Sequence, residues 1–235
     1  MTEIDIAILA WNNIDTIDEC IGSVIDEFKD AGISWGIHVV DNGSTDGTQK
    51  YGTIKNEKNL GISKGKNQCI DACASKYIFL LDGDIIVVPN SIRLLLNYIK
   101  EYEEVKAIGF IAQQWSNQRN RNGQKHHETY CNSLHDVREE QRASIFYGIY
   151  DRGIFDNGLR FDEGGVFGEV GYGWEDHDFY EQMRSRGIKQ YVAHVNHAGG
   201  KYYHAINSSI RAMGREEYIR TSKLRAEYFR SKWGA

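Results

Sequence analysis

Three short apolar runs, each followed at once by polar side chains, constrain the fold of this chain more than any other feature. Residues 4–10, 36–41 and 77–82 are rich in aliphatic and β-branched side chains, as buried strands are. Residues 15–32 and 63–75, which separate these runs, carry apolar side chains at helical spacing. Strands that alternate with helices predict an α/β fold whose central sheet is mostly parallel and flanked by helices.

The second half of the chain has a less regular pattern. A helix is predicted after Pro89, and residues 105–112 form a fourth apolar run. Residues 113–142 are dominated by Gln, Asn, Arg, His and Lys, which predicts a long polar loop. A helix over 175–187, a strand over 190–195 and a helical end complete the predicted order.

The polar residues that follow the first three strands are expected to meet. In a parallel sheet the carboxyl ends of the strands lie along one edge, where ligands bind. The three strands end at Ala10-Trp11-Asn12, at Asp41-Asn42 and at Asp82-Gly83-Asp84. One cleft at this edge is therefore predicted.

Two carboxylates separated by a glycine, Asp82-Gly83-Asp84, are the strongest candidate for chemistry in that cleft. Hard divalent cations such as Mg²⁺ and Mn²⁺ bind carboxylate and phosphate oxygens. A cation held there could bridge the two phosphates of a nucleoside diphosphate sugar. Because aspartate is also common in ordinary turns, the motif taken alone leaves a purely structural role open.

Four further segments occur in a fixed order around this motif. They are the strand Ile4–Ala10 with Trp11-Asn12, residues 39–48 (VVDNGSTDGT), residues 59–67 (NLGISKGKN) and residues 173–176 (GWED). Together with Asp82-Gly83-Asp84 they resemble the family 2-like glycosyltransferases of the GT-A fold, over roughly residues 4–204. The resemblance implies a metal-dependent transfer of a sugar from a nucleotide-sugar donor to an acceptor hydroxyl. A UDP-sugar is the donor that the resemblance favours.

The resemblance also implies roles for particular residues. Asp84, Asp82 and His197 would hold Mn²⁺ or Mg²⁺, with His194 and His204 as alternatives to His197. Asp176 would be the general base, which implies inversion at the anomeric carbon, with Glu175 beside it and Trp174 against the acceptor. The nucleotide-sugar would contact Ala10, Trp11, Asn12, Asp41, Asn59, Gly61, Lys66, Asn67, Asp82 and Gly83.

The same resemblance divides the chain. Residues 1–204 would form the catalytic domain, with a nucleotide-sugar half over 1–112 and an acceptor half over 113–204, and residues 205–235 a basic helical extension. One departure from the family pattern stands in the acceptor half, where Gln182 replaces an arginine that many members carry six residues after the base. Glu175 and Asp176 could also be no more than the acidic start of a helix.

Charge is distributed unevenly along the chain. The net charge is −5, but residues 201–235 hold eight Lys or Arg and three Glu, which leaves −10 for the rest. Such a run is usually a solvated helix face. The other interpretation is a surface for an anionic partner, such as a membrane, a phosphorylated glycan or nucleic acid.

Several alternatives remain open at this level. The acceptor could be a glycan, a lipid-linked sugar or another hydroxyl, or a modified base in DNA. A nucleotidyltransferase would also use carboxylates and Mg²⁺, and a sugar-nucleotide-binding protein would keep the fold without turnover. No run of about 20 apolar residues occurs, and the four cysteines show no metal-binding spacing. We therefore expect a cytoplasmic protein with reduced thiols, and peripheral contact with a membrane is the alternative left open.

Overall fold

The computed structural model describes residues 2–87, 89–110, 134–139, 147–195, 202–204 and 213–234. Ten strands occur in these ranges. They are β1 (Ile4–Ala10), β2 (Trp35–Asp41), β3 (Ile54–Lys55), β4 (Tyr77–Asp82), β5 (Ile85–Val87), β6 (Ala107–Phe110), β7 (Leu134–Glu139), β8 (Tyr147–Asp151), β9 (Tyr191–Val195) and β10 (Tyr202–His204). Eight of them form one sheet, and β5 pairs with β10 in a separate antiparallel ribbon.

Six α-helices accompany the strands in the described ranges. They are α1 (Ile17–Phe28), α2 (Ile62–Ala72), α3 (Ser91–Glu101), α4 (Gly153–Asp156), α5 (Glu175–Ser185) and α6 (Arg215–Trp233). Single 3₁₀ turns cover Thr48–Lys50 and Gly165–Gly168. None of the helices in the described ranges has the length and apolar character needed to cross a membrane.

The strand order of the main sheet is β3-β2-β1-β4-β8-β6-β9-β7. The first four strands are parallel, as predicted. Beyond β4 the sheet is mixed, because β8 runs antiparallel to both of its neighbours and β7 antiparallel to β9. The α/β class is confirmed, and the parallel arrangement holds for the half of the sheet that carries the predicted cleft.

Helices pack on both faces of the sheet, because alternate residues of each strand point to opposite sides. Ile4, Ile6 and Ile8 of β1 face α1 and α3, whereas Ala7 and Leu9 face α2 and α5. On the first face the helices bury chiefly Ile17, Val24, Phe28, Ile92, Leu95, Leu96 and Ile99, and on the second Cys69, Ile70, Phe179 and Met183. These two cores fix the strands whose ends border the site.

Two sequence predictions require correction here. Residues 134–139, predicted as part of a polar loop over 113–142, form β7 at the edge of the sheet, where Arg138 and Glu139 are exposed to solvent. Strand β8 was not predicted, because Tyr147, Gly148 and Tyr150 do not alternate with polar residues. The rest of the predicted loop lies outside the described residues. Cys20, Cys69 and Cys73 are buried free thiols, and Cys131 is likewise outside them.

Candidate active site

The ends of three neighbouring strands come together at one edge of the sheet. Ala10 at the end of β1 pairs with Asp41 of β2, and Leu9 pairs with Asp82 of β4. Beyond the strands, Asn42 N donates to Ala10 O at 2.8 Å and Gly83 N donates to Leu9 O at 2.8 Å. The ladder therefore continues into both polar turns and holds them side by side.

A cleft of about 670 Å³, its open mouth included, lies above these strand ends. Trp11, Asn59, Asp82, Gly83 and Asp84, all predicted as site residues, line it together. The other lining residues are Leu9, Asn13, Asn42, Ile62, Gly171, Tyr172 and Met213. The cleft stands at the edge where α/β sheets bind ligands.

Asn42, expected at this edge of the sheet but given no binding role from the sequence, organises one wall of the cleft. Its Nδ2 donates to Asn59 Oδ1 and to the Gly61 carbonyl, each at a distance of 3.1 Å. Its Oδ1 accepts from Leu60 N at 3.0 Å. Asn59 Oδ1 also accepts from Gly61 N at 2.8 Å. The amide of Asn42 thus shapes the turn before α2 that contains Asn59 and Gly61.

Asn12 fixes the opposite turn. Its backbone adopts a positive φ of 52°, its N–H donates to Ser44 Oγ at 2.9 Å, and its Oδ1 accepts from Thr45 N at 2.9 Å. Asp41 is buried at the base of the same turn, 3.4 Å from Ser44 N through either carboxylate oxygen. The structure therefore gives Asn12 a positioning role in the turn, with the buried Asp41 carboxylate beneath it.

The two carboxylates of the Asp82-Gly83-Asp84 turn have different surroundings. Asp82 is 25% exposed and forms an ion pair through Oδ1 with Lys66 of α2, whose side chain is 2% exposed. Asp84 is buried and lines the cleft. Carboxylate oxygens at such a turn fit a hard divalent cation.

Asn67, the neighbour of Lys66, faces away from this cleft. Its Nδ2 donates to the Phe161 carbonyl at 2.9 Å and to Glu163 Oε1 at 2.6 Å, while its Oδ1 accepts from Phe161 N at 2.9 Å. Its amide therefore ties α2 to the segment before the 3₁₀ turn Gly165–Gly168. The predicted nucleotide-sugar residues that are not among those lining the cleft are Ala10, Asn12, Asp41, Gly61, Lys66 and Asn67.

Helix α5 begins with the predicted catalytic pair, and its two carboxylates differ in exposure. The Glu175 side chain is 9% exposed, whereas that of Asp176 is 40% exposed. Asp176 Oδ1 accepts from His177 N at 2.8 Å and lies 2.8 Å from His177 Nδ1. Burial, followed by the charge of Asp176, raises the pKa of Glu175 to about 7, and the Arg225 guanidinium limits that rise.

The aromatic residues near α5 divide into those at the cleft and those in the core. Tyr172 lines the cleft, and burial, then the charges of Glu175 and Asp82, raise the pKa of its phenol well above the usual range. Trp174, the predicted acceptor contact, packs with ring centroids 4.9 Å from His177 and 5.3 Å from Phe229. Tyr147 and Tyr150 are fully buried core residues.

The C-terminal helix α6 packs against the site instead of standing apart from it. Arg225 is buried, donates from Nη1 to Glu175 Oε2 at 3.1 Å and from Nη2 to the Glu169 carbonyl at 2.8 Å. Lys232 Nζ lies 2.7 Å from Asp178 Oδ1 and 2.8 Å from Asp162 Oδ2. Two of the basic residues of the tail are therefore used within the chain, a role that the charge run in the sequence did not reveal.

Part of the predicted metal and acceptor site lies outside the described residues. His197 does so, as do the side chains of its alternatives His194 and His204. Most of the polar segment 113–142 and the basic residues Lys201 and Arg211 also fall there. Their predicted roles stay predictions.

Residues 5–164 match the sequence model of glycosyl transferase family 2. An uncharacterized glycosyltransferase, MJ1057 of Methanocaldococcus jannaschii, is 31% identical over 55 residues, which cover 23% of this chain and 19% of the relative. The uncharacterized protein MT1568 of Mycobacterium tuberculosis is 26% identical over 101 residues, which cover 39% of this chain and 31% of the relative.

Solved structures with the same fold extend the comparison. The S. aureus TarS fragment 1–349 in complex with UDP has a TM-score of 0.60 at 17% identity, covering 87% of this chain and 60% of TarS 1–349. The mannosyltransferase PcManGT from Pyrobaculum calidifontis, in complex with GDP-Man and Mn²⁺, has a TM-score of 0.59 at 12% identity. The match covers 80% of this chain and 53% of PcManGT. This chain thus spans at most about 60% of these proteins and a third or less of the two curated relatives. The chain belongs to glycosyl transferase family 2 and has the GT-A fold.

Proposed function

We propose that this chain transfers a sugar from a UDP-sugar to an acceptor hydroxyl, with inversion, and depends on a divalent cation, Mn²⁺ or Mg²⁺. The observation that carries the proposal is the single cleft bordered by Asp82, Asp84 and the turn that Asn42 shapes. Acidic groups for a cation and a polar turn for a nucleotide stand there within reach of one ligand. Membership of a glycosyltransferase family favours glycosyl over nucleotidyl transfer.

The donor would lie between the two turns at the strand ends. The buried Asp41 carboxylate can accept hydrogen bonds from a base N–H or from ribose hydroxyls, and Asn59 borders the same cleft. The start of α2 follows directly after Gly61, and a helix N-terminus favours phosphate oxygens. The complexes of related folds with UDP and with GDP-Man support a nucleotide-sugar donor.

Asp84 and Asp82 would hold the cation. Their oxygens fit a hard cation, and Lys66 fixes the orientation of Asp82 through their ion pair. When bound, the cation supplies neutralisation of the charge that develops on the leaving diphosphate. The Mn²⁺ in the mannosyltransferase complex supports this choice of metal. His197 stays a further candidate ligand.

Asp176 is the better placed of the two acidic groups to act as the base. Its side chain is 40% exposed, so an acceptor hydroxyl can reach it, whereas Glu175 is buried against Arg225. His177 holds one oxygen of Asp176, which leaves the other for the acceptor proton. Removal of that proton as the hydroxyl attacks would give inversion.

A glycan, lipid-linked or other hydroxyl acceptor is preferred here over a modified DNA base. Arg225 and Lys232 are paired within the chain, so these two basic groups of the tail are not free to contact phosphates. Acceptor binding that weakens steeply with salt would instead favour DNA.

The proposal is tested by nucleoside diphosphate release from a panel of UDP-, GDP- and dTDP-sugars, with Mn²⁺, with Mg²⁺ or with a chelator. Wild type, Asp84→Ala, Asp176→Asn and the exposed control Asp26→Ala are compared. We expect slow metal-dependent hydrolysis of one donor, lost in Asp84→Ala and kept in Asp26→Ala. Donor binding by Asp176→Asn with little turnover would support the base. Turnover that persists in chelator or in Asp84→Ala would contradict the metal site.

A further inference from the structure

A second group of metal-ligating side chains lies at the opposite end of the strands from the donor cleft. Asp5, His38 and Cys73 each offer one ligand atom, and these three atoms lie within 4.8 Å of one another. Asp5 is near the start of β1, His38 is on β2 and Cys73 directly follows α2. The donor cleft stands instead at Ala10 and Asp41, where the same two strands end.

The carboxylate of Asp5 is oriented by the backbone. Its Oδ2 accepts from Ala74 N at 2.7 Å and from Ser75 N at 2.9 Å, so that Oδ1 faces His38. Oδ1 lies 3.6 Å from His38 Nε2, which is too long for a hydrogen bond. It is close to the roughly 3.4 Å that separates two ligands of one tetrahedral zinc ion with bonds of about 2.0–2.1 Å. Ligating carboxylates are commonly fixed by such outer hydrogen bonds.

Gly36 keeps the space beside these two atoms open. A Cβ at this position would lie 2.5 Å from Asp5 Oδ1 and 3.7 Å from His38 Nε2. The backbone does not require glycine there, because Gly36 is not among the residues with positive φ. A glycine inside a strand weakens the strand and often marks a place that a ligand approaches closely.

Cys73 completes the group on the buried side. Its carbonyl accepts from Arg152 Nη1 at 2.6 Å, and its N–H donates to Ile70 O at 3.2 Å, so its backbone is held. Its thiol donates only a weak hydrogen bond, to Cys69 O at 3.2 Å. Asp5 and Cys73 are buried, whereas the His38 side chain is 31% exposed, so an ion can enter from the histidine side.

We propose that Asp5 Oδ1, His38 Nε2 and Cys73 Sγ bind one Zn²⁺ ion, with water from the exposed side as the fourth ligand. One oxygen, one imidazole nitrogen and one thiolate form a donor set that suits zinc and disfavours Mg²⁺ or Ca²⁺. On binding, the Cys73 thiol releases its proton to solvent as the Zn–S bond forms. The ion would join β1, β2 and the end of α2, far along the strands from the proposed Asp82–Asp84 cation.

Cobalt is the probe, because Co²⁺ occupies zinc sites and a thiolate ligand gives it a near-ultraviolet charge-transfer band. The full chain, reduced and metal-free, is titrated with Co²⁺ and then with Zn²⁺. We expect one Co²⁺ per chain with that band, and its displacement by Zn²⁺. Zn²⁺ at about 100 times its dissociation constant should raise the Tm by on the order of 5 °C.

Matched variants locate the site. Cys73→Ser should abolish the charge-transfer band. His38 is half-exposed, and His38→Gln should weaken Co²⁺ binding about tenfold or more. Gly36→Ala should weaken binding by blocking the space while leaving every ligand in place. Cys69, on α2, is also a buried thiol, and Cys69→Ser should keep the band.

The same titration in Asp84→Ala separates this site from the donor site. Asp82 and Asp84 offer no thiolate, so the band should persist in Asp84→Ala even if that variant is inactive. A band absent from the wild type, or unchanged in Cys73→Ser, would overturn the zinc site. Neither result depends on whether the glycosyl transfer proposed above is found.

Discussion

Arg225 of α6 donates a hydrogen bond, 3.1 Å long, to Glu175 at the start of α5. The Arg225 side chain is 1% exposed and that of Glu175 is 9% exposed. Fifty positions separate these residues in the sequence. Through its second hydrogen bond, to the Glu169 carbonyl, the same guanidinium holds the segment that leads to Tyr172 in the cleft wall. The C-terminal helix is therefore a structural part of the candidate active site.

We predict that Arg225→Gln lowers both stability and activity. Removing one partner of a buried ion pair leaves the other charge uncompensated, which costs on the order of 3 kcal/mol in the free energy of unfolding. Because the start of α5 and the cleft wall both lose an anchor, kcat/KM should fall on the order of 10- to 100-fold. Urea unfolding and donor turnover measure the two effects.

Arg220→Gln is the matched control for this variant. Arg220 lies on the same helix and pairs with Glu217 at the surface, where an ion pair contributes about 0.3–0.5 kcal/mol. Its loss should leave both stability and kcat/KM nearly unchanged. Equal effects of the two substitutions would contradict the role given to Arg225.

The same pair predicts a shift in the pH dependence of activity. The pKa of Glu175 is about 7, raised by burial and by Asp176 and restrained by Arg225. In Arg225→Gln the restraint is gone, so the pKa of Glu175 should rise further. Because protonation of Glu175 breaks its ion pair with Arg225, we expect kcat/KM to fall as the pH drops through about 7 in the wild type. The variant has no ion pair to lose, so this step should be absent from its pH profile. Identical pH profiles would contradict this assignment.

The separation of these residues explains how much of the site could be predicted. Asp82, Asp84 and Asp41 follow apolar strands directly, so local pattern and the C-terminal edge of a parallel sheet suffice to bring them together. Arg225 sits in a charge run that ordinarily means a solvated surface, and only the packing of α6 turns it inward. Nothing local in the sequence distinguishes it from the exposed Arg220.

The contacts of two adjacent residues on α2 could not be predicted from the sequence, for a related reason. Lys66 and Asn67 are adjacent on α2, yet one pairs with Asp82 and the other bonds to Phe161. Neighbours on a helix point about 100° apart, so a motif match does not show which of the two faces the ligand. Strand β8 was missed because its Tyr147-Gly148 start lacks the alternation of a half-buried strand.

The Lys66–Asp82 ion pair predicts that Asp82→Asn lowers the free energy of unfolding more than Lys66→Met does. Asp82→Asn leaves the ammonium of Lys66, which is 2% exposed, buried without its partner, and this should cost on the order of 3 kcal/mol. Lys66→Met leaves a carboxylate that water can reach, and should cost less. Urea unfolding in the presence of a chelator, with the double variant to complete the cycle, measures both. A larger loss for Lys66→Met would contradict the predicted asymmetry.

Gly61 is expected to be required for the donor turn. Its φ is +90°, and a Cβ there would lie 2.6 Å from the Glu169 carbonyl that Arg225 holds. Gly61→Ala should therefore push the start of α2 away from the cleft wall and weaken UDP binding on the order of tenfold. Isothermal titration calorimetry measures the affinity. Gly22→Ala, inside α1 with nothing within 4 Å of its Cβ, should bind UDP normally and be slightly more stable.

Glu27 of α1 provides the acceptors for the start of α3. Its buried carboxylate accepts from Asn90 N and, at 3.0 Å, from Arg93 N. Glu27→Ala removes both acceptors, so we expect a loss of about 1–2 kcal/mol in the free energy of unfolding. Glu101→Ala, exposed at the other end of α3, should have little effect.

The pH dependence of stability gives a second test of Glu27. Burial raises the pKa of Glu27 from its ordinary value of 4.5 to about 7, although the backbone hydrogen bonds that it accepts act in the opposite direction. The folded state therefore binds this proton more tightly than the unfolded state does. Its contribution to the free energy of unfolding falls as the pH rises from about 4.5 to about 7 and is constant above that. Urea unfolding at several pH values should show a shallower fall for Glu27→Ala than for the wild type over this window. Parallel curves would mean that Glu27 titrates normally in the folded protein.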